Sequence, residues 1–239
     1  APAVPSRGEG GFTGMAWGVL LATLAAYAAV PGTAFQYDDF RVVVVDDDVH
    51  SWAGWWAAMP GMRPLTKASY VANWLVSPQP AGFAIAGAAM HAASSLLVLA
   101  LARRWLAAFA PALPRPGFAA LATALVFALH PAQTEAVAYI AGRSTALSTM
   151  FTLAALLAWE RGREGRSTRG WFLLGALLGL VALVRAQDVV FGLLPAGSLA
   201  ALLWRGPNPA RREALRGGLL FAAGAAPASA PQMIAWWQI

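Results

Sequence analysis

Two groups of residues carry side chains that an apolar chain does not need. The first is the acid pair Asp38–Asp39, in YDDF at 37–40. Adjacent carboxylates beside an apolar run can take a proton from a hydroxyl as a general base, or hold a divalent cation through oxygen ligands. Taken alone, the pair reads more simply as a solvated acidic loop, continued by Asp46, Asp47 and Asp48. The second group is His130, Glu135 and Arg143, inside FALHPAQTEAVAYIAGRS at Phe127–Ser144. Charged side chains at membrane depth cost roughly 2.5–3.5 kcal/mol each, so they face a cavity or a partner. On one continuous helix Glu135, Tyr139 and Arg143 would share a face. That spacing allows a structural Glu135–Arg143 pair. It also allows Arg143 to bind a lipid-linked phosphate while Glu135 orients a hydroxyl, and this second account is favoured because the acid pair falls on the same membrane side.

The remaining candidates divide less sharply. Arg63, in GMRPLTKASY, could bind phosphate through its planar fork of donors, with Lys67 adding a point charge. An interfacial snorkelling pair explains them equally well. His91, in GAAMHAAS, reads best as a hydrogen bond between closely packed helices. Asp188 and Arg185 read as a cap or ion pair. The chain has no Walker loop, zinc-ligand spacing, nucleophile elbow or dinucleotide fingerprint.

The elements that must position these groups follow from composition. The 239 residues are 59% hydrophobic and 12% charged, with mean hydropathy +0.56. A soluble domain carries about 25% charged residues. The fold class is therefore all-α integral membrane. With no cysteine there is no disulfide framework or thiolate metal site. A pI near 10.7 would suit nucleic acid, but the basic residues are dispersed between apolar runs, so membrane lipids are the expected surroundings and nucleic acid is not an expected partner.

About seven spans are expected, near 15–30, 81–102, 117–130, 144–159, 171–185, 188–204 and 217–235. Most approach the ~20 residues a helix needs to cross the hydrocarbon core. Residues 1–13 read as a mobile cytoplasmic N-terminus and 14–239 as one polytopic domain. Residues 33–80 form a long non-cytoplasmic loop, in which SWAGWW at 51–56 predicts a short interfacial helix. Pro131 favours a break, so Gln133–Arg143 is expected to lie at the surface. With the N-terminus cytoplasmic, twelve of the seventeen basic residues face the cytoplasm. Seven of the eleven acids then lie outside, and both polar groups emerge on the non-cytoplasmic side.

The order YDDF, RPLTKASYVANWL, PAGF, MHAASSLL and FALHPAQTEAVAYIAGRSTALSTMF resembles the membrane part of the transmembrane-and-tetratricopeptide-repeat O-mannosyltransferases and their bacterial relatives. These are glycosyltransferases of the GT-C class. The resemblance covers residues 33–160 best, and HPAQTEAVAYIAGRS is its most specific block. It implies a site on the non-cytoplasmic face, a polyprenyl-phosphate sugar as donor, and a bacterial inner-membrane location. It implies that Asp38 or Asp39, with Asp39 preferred, deprotonates an acceptor hydroxyl. Arg63 and Arg143 would stabilise the leaving lipid phosphate, and His130 and Glu135 would line the site. The chain departs from the family's pattern at Ala84 and Gly87, where His and Asn are common, and at VRAQD. The alternative is thus a catalytically inactive subunit that packs with partner membrane proteins in a larger complex, for example a respiratory or photosynthetic one.

Overall fold

A computed structural model describes residues 9–59, 61, 63–165 and 168–237. Among the described residues ten α-helices carry the architecture: α1 Glu9–Ala26, α2 Trp52–Ala57, α3 Pro64–Val76, α4 Pro80–Phe109, α5 Pro116–Leu129, α6 Gln133–Ala138, α7 Arg143–Gly165, α8 Thr168–Val184, α9 Leu193–Arg205 and α10 Asn208–Trp237. No strand occurs among the described residues. The seven longer helices other than α3 fall on the seven expected spans. Four segments are long and apolar enough to cross a membrane: Gly11–Gly32, Pro80–Phe109, Ile140–Gly162 and Ala186–Arg205; α5 and α8 are shorter apolar helices. Of the N-terminal segment expected to be mobile, residues 9–13 form the first turns of α1 and residues 1–8 lie outside the described residues.

Sequence punctuation sets many of the boundaries. Proline opens α3, α4 and α5, where its missing N–H costs nothing. The Trp-rich piece is the expected short helix, α2, and Ser51 caps it by accepting the Gly54 N–H at 3.0 Å. Small residues then set how closely helices approach. A Cβ on Gly175 would strike the Phe221 carbonyl, and one on Gly224 the Phe172 carbonyl, so α8 and α10 touch backbone to backbone. His91 bridges α4 to α5, its Nε2 lying 3.0 Å from the Ala128 carbonyl, as its setting among small residues leads one to expect.

The long loop is more structured than its polarity suggests. Phe40–Val44 forms a π-helical turn and α3 adds 13 residues of helix. Val43, Val49, Tyr70, Val71, Phe83 and Ile140 build a small core that joins this loop to α4 and to the start of α7. Lys67 draws Asp46 and Asp48 together at 3.1 and 3.3 Å, leaving Asp47, whose side chain is 99% exposed, as the solvated member of the triplet. Three segments thereby gather at one end of the bundle: the loop before α4, the α6–α7 junction, and the turn before α9. The last is tied to α7 by Ser148 Oγ donating to Asp188 at 2.5 Å and Arg185 Nη1 donating to Thr145 at 2.6 Å. Gln232, near the far end of α10, reaches Gly61 at this same end.

Candidate functional site

The centre of this end is a clamp between the acid pair and the α6–α7 junction. The turn Gln36–Asp39 closes on itself. The Asp39 N–H donates to the Gln36 carbonyl at 2.8 Å, and Asp39 Oδ2 accepts the Gln36 N–H at 3.0 Å. The other oxygen, Oδ1, accepts the Ala141 N–H at 2.7 Å across 102 positions of sequence. Asp39 is 1% exposed. Burial pushes its carboxyl above the ordinary carboxylate range, and the backbone donors at Gln36, Ala141 and Ile140 only partly offset this.

Asp38, the next residue back, faces the other way. Its side chain is 63% exposed, and its main-chain N–H donates to the Tyr139 hydroxyl at 3.3 Å. Arg41 Nε lies 3.9 Å from Asp38 Oδ1, an exposed pair worth about 0–1 kcal/mol. The adjacent carboxylates thus have opposite environments, one spent on backbone and one open to solvent.

The junction itself departs from the sequence expectation. Glu135, Tyr139 and Arg143 do not share a helix face, because α6 ends at Ala138 and Tyr139 is extended, with φ −84° and ψ 113°. A short 3₁₀ turn, Ile140–Gly142, then leads into α7. The reason lies in the clamp. Asp39 takes the Ala141 N–H, and the Tyr70 hydroxyl donates to the Ile140 carbonyl at 2.9 Å. The backbone is satisfied without continuing the helix.

Arg143 is buried and its donors are spent inside the protein. Nη1 donates to the Ser69 carbonyl at 3.1 Å, and Nη2 to Asn73 Oδ1 at 2.9 Å and the Phe83 carbonyl at 3.0 Å. Its guanidinium lies 5.0 Å from the Tyr70 ring centroid and 5.1 Å from that of Phe83. It forms no ion pair with Glu135, which is exposed on α6. His130 is also exposed, and its Nδ1 accepts the Ala132 N–H at 3.1 Å, so the imidazole caps its own turn after Pro131. Arg63 is exposed immediately before α3, with φ 59° in the left-handed region. Its charge acts on Tyr70, as do those of Arg143 and Asp39, while burial holds the Tyr70 hydroxyl well above its ordinary pKa.

The structure therefore brings Asp39, Arg143 and Arg63 around Tyr70, places Asp38 at the open edge, and sets His130 and Glu135 on the exposed stretch that leads into the junction. Tyr70, Ser69 and Asn73 were not singled out from sequence, and Tyr139 entered only as a member of the face expected to join Glu135 to Arg143. The signal for two of them was present: Ser69 and Asn73 are four apart on α3 and share the face that meets Arg143. At the positions where polar residues are common in the resembled family, Ala84 is fully buried, and a Cβ on Gly87 would strike the Val137 carbonyl of α6.

No family model matches the chain, and no solved structure matches it. Curated proteins do. The chain is 30% identical over 176 residues to protein O-mannosyl-transferase Tmtc2 of Drosophila melanogaster, covering 65% of this chain and 18% of the relative. It is 29% identical over 206 residues to Tmtc1 of the same organism, covering 80% and 22%. It is 31% identical over 169 residues to human protein O-mannosyl-transferase TMTC4, covering 59% and 22%. The aligned part thus spans about a fifth of the length of these relatives. The resemblance carried by YDDF and HPAQTEAVAYIAGRS is borne out: over most of its length this chain is similar to the protein O-mannosyl-transferases of the transmembrane-and-tetratricopeptide-repeat type.

Proposed function

We propose that this chain is the membrane module of a glycosyltransferase that moves a sugar from a polyprenyl-phosphate donor to a hydroxyl acceptor on the non-cytoplasmic face. The observation that carries the proposal is the clamp itself. The two stretches that carry the resemblance, 37–40 and 127–144, are far apart in sequence and meet at one end of the bundle. Of the two carboxylates, Asp38 is the one a substrate can reach, so it is assigned as the general base. Asp39 is assigned to holding the 139–142 turn against it. Arg41, 3.9 Å from Asp38, and Arg63, whose charge reaches Tyr70, are assigned to receive the leaving phosphate. Arg143 supports this edge from beneath through Ser69, Asn73 and Phe83. His130 and Glu135 stand on the approach to the turn, where an acceptor or headgroup would pass.

The test is sugar transfer by the purified chain in proteoliposomes, with polyprenyl-phosphate mannose as donor and a hydroxyl-bearing peptide as acceptor. Loss of transfer in Asp38→Asn, with folding intact, supports the assignment. Transfer that survives in Asp38→Asn sinks it. The same assay with chelator and added divalent cation decides whether the acid pair needs a metal.

The proposed location is a bacterial inner membrane with the N-terminus cytoplasmic. Because the chain has no cysteine, single cysteines introduced at Ser51, in the 33–80 loop, and at Ala112, between the expected spans 81–102 and 117–130, report sidedness directly with a membrane-impermeant thiol reagent. Labelling of intact cells at Ser51 is expected.

One observation favours a second reading, a non-catalytic membrane subunit. Pro195 is the one buried residue of α9, and beside this helix runs an apolar groove of about 280 Å³ between Leu174, Leu199, Leu203 and Phe221. Such a surface suits lateral packing against a partner membrane protein. Stable co-purification within a larger complex, with no transfer from any lipid-linked sugar, would select it.

A further inference from the structure

We infer that Tyr37 is a sugar-stacking residue of the proposed site. This rests on the glycosyltransferase reading and names which part of the substrate the ring contacts. Tyr37 and Arg63 are the non-glycine residues with positive φ among the described residues, at 43° and 59°. Tyr37 occupies the first corner of the Gln36–Asp39 turn, where positive φ strongly favours glycine. The turn tolerates tyrosine there because both flanks are anchored. Phe35 packs edge-on against Phe83 with centroids 5.9 Å apart, and Asp39 is fastened to Gln36 and Ala141.

The result is an aromatic ring at the tip of a rigid turn. Tyr37 is 86% exposed, beside the exposed carboxylate of Asp38, and Phe40, 50% exposed, opens the π-helical segment that follows the turn. Backbone strain of this kind persists where surrounding structure over-determines it, and it clusters at ligand clamps. Ring plus carboxylate is a chemical match for a hexose. The C–H face of the sugar packs on the electron-rich ring face, and the carboxylate accepts from the adjacent hydroxyls. A membrane-interface anchor, the other use of an exposed tyrosine, does not require a strained turn or a neighbouring carboxylate.

The experiment compares wild type, Tyr37→Gly and Tyr37→Phe in proteoliposomes, with polyprenyl-phosphate mannose as donor. The donor KM is expected to rise about fivefold in Tyr37→Gly, the scale of one lost stacking contact, with little change in the acceptor KM. Tyr37→Phe, which keeps the ring, is expected to recover most of the loss. Because glycine suits the turn, Tyr37→Gly is also expected to unfold at a higher temperature than wild type, which separates lost binding from lost folding. A rise confined to the acceptor KM, or an unchanged donor KM, overturns the inference and leaves the transferase reading standing. If wild type transfers no sugar, binding of the donor is titrated by tryptophan fluorescence. Weaker binding in Tyr37→Gly then supports stacking while the transferase reading falls, and equal binding overturns the stacking. Absence of both transfer and binding in wild type overturns both.

Discussion

Asp39 Oδ1 accepts the main-chain N–H of Ala141 at 2.7 Å, and this one bond ties the first loop to the start of α7. It separates Asp39 from Asp38 in role as well as in environment. A carboxylate that organises backbone on both sides cannot be replaced by an amide without turning a donor toward a donor.

Asp39→Asn is accordingly expected to destabilise the fold by about 1–3 kcal/mol, the cost of a buried group left unsatisfied. Asp38→Asn is expected to change stability by less than about 0.5 kcal/mol, as for other exposed substitutions. Its effect should instead be kinetic, a loss of roughly 10²- to 10⁴-fold in transfer. Thermal unfolding in detergent, run beside the transfer assay, separates the two. Equal loss of stability in both variants would contradict the division of roles.

Arg143→Lys retains the charge but cannot span Ser69, Asn73 and Phe83 at once. A destabilisation of at least about 2 kcal/mol is expected, because two carbonyls and an amide lose donors in a buried setting. Full stability in Arg143→Lys would show that the guanidinium is held for a ligand rather than for the fold.

Gly87→Ala places a methyl group against the Val137 carbonyl. Neither backbone can yield without moving α6, so a cost of about 1–3 kcal/mol is expected, with faster amide exchange over Gln133–Ala138. Wild-type exchange there would mean that α6 slides freely on α4.

The raised pKa of Asp39 sets a pH dependence whose sign follows from its protonated form being favoured in the folded protein. Its contribution to stability is present at pH values below its unfolded pKa of 3.8. That contribution is lost as pH rises through the higher folded pKa. The unfolding temperature of wild type should therefore fall from this group as pH rises through the carboxylate range, and Asp39→Asn should lack this component. A difference between the two proteins that does not vary with pH would show that burial and backbone donors cancel.

Much of this was written in the chain. Long apolar runs can satisfy their backbone only as helices in a bilayer, so the all-α class and the approximate positions of seven long helices follow from composition and run length. Proline at the first helical position marks the starts of α3, α4 and α5, and Ser51 announces α2. The asymmetric placement of basic residues drew 37–48 and 130–143 to one side before any contact was known, and the structure brings the two stretches into contact.

What sequence could not decide is which side chains spend their hydrogen bonds on the protein. Asp38 and Asp39 are the same residue type at adjacent positions, and only the approach of Ala141 makes one buried and the other open. Arg143 reads as a free phosphate ligand until Ser69, Asn73 and Phe83 arrive from two other helices to take its donors. Helical periodicity placed Glu135, Tyr139 and Arg143 on one face, and a break at Tyr139 set by Asp39 and Tyr70 removed that alignment. Local pattern reports what a segment can form with itself. Hydrogen-bond satisfaction at a junction depends on groups up to a hundred residues away, and that is where tertiary structure chose between a scaffold residue and an open carboxylate.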